Sequence, residues 1–292
     1  MHRIALFFLT SVAFAQDAAD VRVEKISSGN KFTEGPVWSL DGFLLFSDTA
    51  TDRLRKFVPG KGVTEFASKA GGALGNTYDE QGRLYSCEFR ERRITRTAKN
   101  GKTEVIAARF EGKRLNAPND IVVRRDGHVY FTDPAFGNQQ DSRELDFYGV
   151  FHISPKGEIE AIARSKTRRD GIALAPGGRL LYVSDADTHE IRAWDLDKNG
   201  AASNEHVVIA KIAQVPGGLR TDEKGNLYVA TKGVSIYSPK GEFVRDIELG
   251  ETASNVAFGD PDLSSLYVTA RTSVYRIRLG AKGWLSYAPQ VP

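Results

Sequence analysis

The sequence predicts an all-β chain, a six-bladed β-propeller with a metal-binding central channel, and two observations carry that prediction. The first is a recurring phrase: nine residues ending on a turn glycine, followed by an apolar, aromatic strand. It reads EGPVWSLDG ending at Gly42, LGNTYDEQG at Gly82, NDIVVRRDG at Gly127, DGIALAPGG at Gly178 and GGLRTDEKG at Gly225. A sixth copy, NVAFGDPDLSSLYVTA, lacks the glycine. The second is spacing: the turns at 42, 82, 127, 178 and 225 lie 40, 45, 51 and 47 residues apart, the period of a propeller blade rather than of a helical repeat. No stretch longer than about ten residues has a 3.6-residue apolar period, so helix is scarce.

From the start, Met1 to Ala15 reads as a targeting segment, with Arg3 as its positive end, Ile4 to Val12 as its apolar run and Ala13-Phe14-Ala15 as a small-residue cleavage site before Gln16. The apolar run is too short for a membrane helix of about 20 residues. A periplasmic or secreted protein follows, soluble and not membrane-bound, with residues 16–292 as a single domain. Val21 to Ser28 is expected to close the ring against Val274 to Leu279. Each copy then supplies an inner strand (PVWSL, TYDE, IVVRR, IALAP, LRTDE, VAFGD) and a second strand (FLLFSD, LYSCEF, VYFTDP, LYVSDA, LYVATK, LYVTAR). Two further strands follow where the copy is complete, as in GVFHIS and IEAIAR of the third. The most informative stretch is Leu115 to Gly137, where a polar knot at Asn116, Asn119 and Asp120 runs into Ile121 to Val123, turns at Asp126-Gly127 and ends on Asp133-Pro134. Ring closure removes the free sheet edges that pair with other molecules, and a monomer is expected.

Composition excludes several classes. The 40 basic and 37 acidic residues leave a net charge of +3, an ordinary solvated surface. The basic clusters Arg90 to Arg96 and Arg164 to Arg169 are short and lack interleaved aromatics, which argues against nucleic acid as a partner. A single cysteine, Cys87, excludes an intrachain disulfide, and its strand reads as a place for a buried, inert thiol. The chain has no G-x-S-x-G elbow, no H-E-x-x-H and no phosphate-cradling glycine loop; S-G-N-K at 28–31 precedes the first blade and is a chance match. The five histidines (His2, His128, His152, His189, His206) are scattered, and none is expected to pair with another at ligand spacing.

Equivalent positions in radially arranged blades lie on one ring around the channel. Counting eight back from each turn glycine, that ring reads Glu34, Leu74, Asn119, Asp170 and Gly217, and strand matching adds Asn255. Two carboxylates and two amides, with no His or Cys, suit a hard cation such as Ca²⁺. The alternative is a set of polar residues that hydrates a water-filled channel; against it, Glu34 and Asp170 repel each other without a cation. Asp48, Asp133 and Asp185 end second strands, where carboxylates accept backbone N–H bonds in the following turn. Asp133 shares a blade with Asn119 and is the one placed to support the site. Trp38, Trp194 and Trp284 read as packing residues.

EGPVW at 34–38, RLNAPND at 114–120, YFTDPAFG at 130–137, DGIALAP at 170–176, LYVSDADTHEIRAWDLD at 181–197 and LYVTARTSVYRIRL at 266–279 together resemble the family of senescence marker protein, gluconolactonase and luciferin-regenerating enzyme. The likeness spans nearly all of the chain after the leader. It implies a six-bladed calcium propeller, with lactone hydrolases among its members. It also implies metal ligands at Glu34, Asn119 and positions 170 and 217, and substrate contacts at Asn116 and Asp120 beside Asn119. Two departures stand out: Asp170 where the family usually has Asn, and Gly217 where it usually has Asp. The carboxylate has moved from blade five to blade four. On this reading Ca²⁺ polarises a lactone carbonyl, Asp170 serves the metal and Asp120 takes the proton from water, these two aspartates being the catalytic pair. The substrate class is a sugar lactone or related small ester, with specificity in mouth loops such as Asn138 to Phe147. The other class is a propeller that binds a ligand or partner and has lost turnover through Gly217. The double change Asp170→Asn with Gly217→Asp is expected to recover the family arrangement.

Overall fold

The computed structural model describes residues 21–289, so the expected leader over 1–15 lies outside the described residues. Six antiparallel four-stranded sheets are present. Blade one comprises Thr33–Ser39, Phe43–Asp48, Arg53–Val58 and Gly62–Ser68; blade two, Ala73–Tyr78, Leu84–Glu88, Arg93–Thr97 and Thr103–Ala107. Blade three comprises Ile121–Val123, Val129–Asp133, Tyr148–Ile153 and Ile159–Ser165; blade four, Arg169–Leu174, Leu180–Asp185, Glu190–Leu196 and Ala202–Ile209. Blade five comprises Leu219–Thr221, Leu227–Ala230, Val234–Tyr237 and Phe243–Ile247. In blade six, Ala253–Gly259, Ser265–Ala270 and Ser273–Arg278 are completed by the N-terminal strand Arg22–Ser27. That closure pairs Arg22 with Arg278 and Ser27 with Val274, as expected from sequence. Inner strands of successive blades pack on one another all the way round, blade six against blade one included, which makes the arrangement a closed ring.

The pattern of burial explains why each segment takes its place. Inner and second strands such as Thr33–Ser39 and Phe43–Asp48 are buried throughout, whereas the outermost strand of blade one, Gly62–Ser68, is mostly exposed. Fully buried Tyr85, Tyr130, Tyr267, Phe46, Phe131, Phe151 and Phe258 fill the space within and between blades. Each phenylalanine among them contributes roughly 1.5–3 kcal/mol relative to exposure. Trp38 stacks on Tyr267 with ring centroids 5.7 Å apart, sealing blade one against blade six. The hairpin turns use φ values that favour glycine, +91° at Gly127 for example. Blade six has no glycine there; Asp260 and Leu263 take φ of +69° and +56° instead, and the Tyr267 hydroxyl donates to Asp260 at 2.7 Å.

The end of the channel away from the strand starts is closed by the C-terminal segment. Gly283 bridges to Asp222 of blade five and Trp284 N–H donates to Thr221 O at 3.2 Å. The Ser286 hydroxyl donates to Val123 O of blade three, and the Tyr287 hydroxyl to Trp38 O of blade one, each at 2.6 Å. A residual cavity of about 30 Å³ between this plug and the inner strands has room for one or two waters.

One expectation is corrected by strand pairing. Tyr130 pairs with His152, which brings His128 Nδ1 within 2.6 Å of His152 Nε2, and His152 Nδ1 within 2.6 Å of Glu160 Oε1. Residues 24 apart in sequence meet because the hairpin connection folds one strand onto the next, a contact that linear spacing does not register.

Candidate channel site

The blades align on equivalent strand pairs, and the ring residue lies three positions before the inner partner of each. Val37 pairs with Leu45, Thr77 with Tyr85, Val122 with Tyr130, Ala173 with Tyr182 and Arg220 with Tyr228, which places Glu34, Leu74, Asn119, Asp170 and Gly217 on the ring. In blade six the equivalent pair is Ala257 with Tyr267, so the ring residue is Ser254 and not Asn255. Backbone bonds agree: Gly75 N–H donates to Asn119 O, and the equivalent Gly218 N–H donates to Ser254 O. Without a turn glycine, the count in blade six had no fixed point. The Ser254 hydroxyl is spent on Thr33 O, at 2.8 Å, and on Thr269.

Hydroxyls of the second strands hold the ring in place. Ser47 donates to Leu74 O at 2.9 Å, Thr132 to Asp170 O at 2.6 Å and Ser184 to Gly217 O at 2.8 Å, each reaching into the next blade. Cys87 occupies the corresponding position of blade two, and burial pushes its thiol well above the ordinary range, so it is inert packing as expected.

One residue deeper, the chain reads Gly35, Gly75, Asp120, Gly171, Gly218 and Asn255. The glycines leave space that the two side chains fill: a Cβ on Gly75 would lie 2.7 Å from Asp120 Oδ1. Asp120 is fully buried. Its Oδ1 accepts Ile121 N–H at 3.0 Å, and its Oδ2 accepts Ile172 N–H of blade four at 3.1 Å and Arg220 Nη1 of blade five at 3.3 Å. Two further layers down, Arg220 stands level with Val37, Thr77, Val122, Ala173 and Ala257, and also donates to Ile172 O at 3.0 Å.

Asp120, read from sequence as the proton acceptor, therefore has both oxygens engaged and no access to water. That geometry suits a brace between blades and corrects its assignment as a base. Glu34 accepts Gly35 N–H at 2.6 Å and a bond from the Asn255 amide. Burial, with the Asp120 charge adding to it, pushes the Glu34 carboxyl up to about 7. Burial first, then the charges of Glu34 and Asp120, hold Asp170 well above the usual carboxylate range. Mutual influence among Glu34, Asp120, Asp170, Arg220 and Asn255, from five blades, requires that all converge on the channel.

The Asp170 carboxylate and the Asn119 amide make no hydrogen bond to any described residue. Among the described residues no three His, Cys, Asp or Glu side chains gather at ligand spacing. The oxygens on offer are thus a mixed carboxylate and amide set from Glu34, Asn119 and Asp170, which fits a hard cation and not a soft one. Beside them, Asn116 is held by its Nδ2 on Asp133 O and Phe147 O, at 3.0 and 2.9 Å, while its buried Oδ1 has no partner. Asp133 fixes that loop by accepting Asn116 and Ala117 N–H, both at 2.7 Å. Asp185 accepts Asp187 and Thr188 N–H in the turn that follows it, as expected, whereas Asp48 accepts Lys31 and Phe32 N–H from the segment that precedes its blade.

Gly217 offers no side chain, and the neighbouring blade has closed on it: a Cβ there would stand 2.5 Å from the Ser254 carbonyl oxygen, well inside contact distance. The obstacle is backbone, so restoring an aspartate shifts blade six. Gly217→Asp, alone or with Asp170→Asn, is expected to lower stability by about 1–3 kcal/mol, the usual cost of overpacking, read as a fall in urea midpoint. This replaces the expectation of simple recovery; an unchanged midpoint would show that the ring has slack.

Arg220 is the channel residue that motif reading passed over. Its signal was present: the residue three past the ring position is Val, Thr, Val, Ala or Ala in the other blades and Arg only in blade five.

Residues 32–272 match the family model described as SMP-30/Gluconolactonase/LRE-like region. The chain belongs to this family. A gluconolactonase of Zymomonas mobilis is 32% identical over 288 residues, covering 88% of this chain and 81% of that protein. The solved gluconolactonase of Xanthomonas campestris superposes with a TM-score of 0.83 at 30% identity, over 89% of this chain and 90% of that one. A calcium-binding regucalcin of Agrobacterium tumefaciens superposes with a TM-score of 0.75 at 16% identity, over 89% and 94% of the two chains, a likeness of fold. Family membership and the closed ring agree that six blades surround the site.

Proposed function

We propose that this chain is an enzyme that hydrolyses a sugar lactone or a related small cyclic ester at the ring end of the channel, with a divalent cation, Ca²⁺, held by Glu34, Asn119 and Asp170. Charge balance carries the reading. Of three channel carboxylates, Asp120 is offset by Arg220, which leaves Glu34 and Asp170 as two negative charges for one divalent ion. The gluconolactonases at 30–32% identity support the substrate class.

The bound cation supplies Lewis acidity toward the lactone carbonyl. Glu34, anchored by Gly35 N–H and Asn255, is the fixed carboxylate of the set. Asp170, without any anchoring bond to the protein, would hold the cation through one carboxylate oxygen and leave the other to take a proton from the attacking water. Asn116, a substrate contact on the family likeness, keeps a buried Oδ1 without a partner. The plug at Gly283–Tyr287 leaves the ring end as the route for substrate. The leader read over residues 1–15 supports a periplasmic or secreted setting for this chemistry.

Purified protein assayed against gluconolactone and a panel of small lactones is expected to release acid with Ca²⁺, and to lose at least about tenfold of that rate with a chelator. Ca²⁺ binding without hydrolysis of any lactone would instead favour the ligand-binding reading that Gly217 permits.

A further inference from the structure

We infer that Arg220 is a positioning residue through which blade five, having no side chain on the ring, acts on the site. The inference rests on the reading of the channel as the hydrolytic site. Asn119 directly precedes Asp120, and Asp170 lies two residues before Ile172, so the backbone at Asp120 and Ile172 sets where those two side chains stand. Arg220 grips both places at once: Nη1 and Nη2 fork onto Asp120 Oδ2 and Oδ1 at 3.3 and 3.4 Å, and Nη1 also reaches Ile172 O at 3.0 Å, while Asp120 Oδ2 accepts Ile172 N–H at 3.1 Å. Nη1 donates to Leu219 O at 2.7 Å as well, tying the guanidinium to its own strand. One planar fork thus spans blades three, four and five directly beneath Asn119, Asp170 and Gly217. Only arginine matches that demand: several donors in a rigid plane satisfy a carboxylate and two carbonyls together, whereas a lysine ammonium is a flexible point donor.

The same side chain sets the charge of the channel. Asp120 is buried and 3.3 Å from the guanidinium, and without it a third uncompensated carboxylate would join Glu34 and Asp170. Positioning and charge are separable by substitution, because lysine keeps the charge and loses the fork.

The test uses Arg220→Lys, Arg220→Met and the double variant Arg220→Met with Asp120→Asn, which leaves no unpaired buried charge. Each is measured for kcat and KM at saturating Ca²⁺, for Ca²⁺ affinity by calorimetry, and for melting temperature. Arg220→Lys and the double variant are expected to melt close to wild type, yet to lose about tenfold to a hundredfold in kcat with KM changed less than about threefold, since misplacing reacting groups by about an ångström has that scale of effect. Wild-type kcat in the double variant would overturn the inference, as would full rescue of kcat by lysine. Glu34→Gln, run in parallel, separates the two levels. If it too retains wild-type kcat, the channel reading has failed; if it alone loses activity and Ca²⁺ binding, only the role of Arg220 has.

Discussion

Replacing Asp170 by Asn is expected to lower lactone turnover by about two to four orders of magnitude, the range for loss of a positioned proton acceptor, while the fold remains intact. The substitution is isosteric. The backbone carbonyl of residue 170 stays bonded to the Thr132 hydroxyl at 2.6 Å, and the side chain has no protein hydrogen bond to lose. Two effects should appear together. Turnover falls because an amide takes no proton, and Ca²⁺ affinity weakens because one of two uncompensated charges is gone. At a pH high enough to ionise both carboxyls, the metal-free variant should melt higher than metal-free wild type, since a neutral amide at position 170 no longer repels Glu34 across the channel. Kinetics, calorimetry and melting in chelator measure the three. Unchanged turnover and Ca²⁺ affinity in Asp170→Asn would make Asp170 a bystander, and the balance of charges would then have to be found elsewhere.

Metal-free protein is expected to lose stability as pH rises from about 5 to about 8, and Ca²⁺ to reverse that loss. Glu34 titrates near its ordinary value of 4.5 in the unfolded chain and at about 7 in the folded one. Between those values the folded state holds a proton that the unfolded state has released, so stability falls with pH and the loss is complete above the folded value. The shift corresponds to about 3 kcal/mol from Glu34, with Asp170 acting in the same direction. A cation that binds only the ionised, folded channel works oppositely, so the melting shift on adding Ca²⁺ should grow as pH rises. Melts in chelator and in Ca²⁺ across this range check it. Glu34→Gln should reduce the slope in chelator; an equal slope in wild type and variant would show that Glu34 is not the titrating group.

By itself the sequence determined the closed six-bladed ring, the closing strand over residues 22–27, and the convergence of Glu34, Asn119 and Asp170 on one channel. Those features are periodic: a turn glycine at regular intervals and a recurring apolar, aromatic strand register in a linear count, and closure follows from six copies that each need a neighbour to bury their faces. What the tertiary structure alone decided depends on which blade lies beside which. Ser254 replaced Asn255 on the ring because strand pairing, and not a glycine, sets the register of blade six. Asp120 proved a buried brace because its partners, Ile172 and Arg220, belong to the next two blades, 52 and 100 residues away. His128 met His152 through a strand pair, and the closing plug at Gly283–Tyr287 came from a segment with no repeat to announce it. A sequence records which oxygens a strand carries, whereas the charge each one bears depends on burial and on neighbours that only the folded ring brings within a few ångströms.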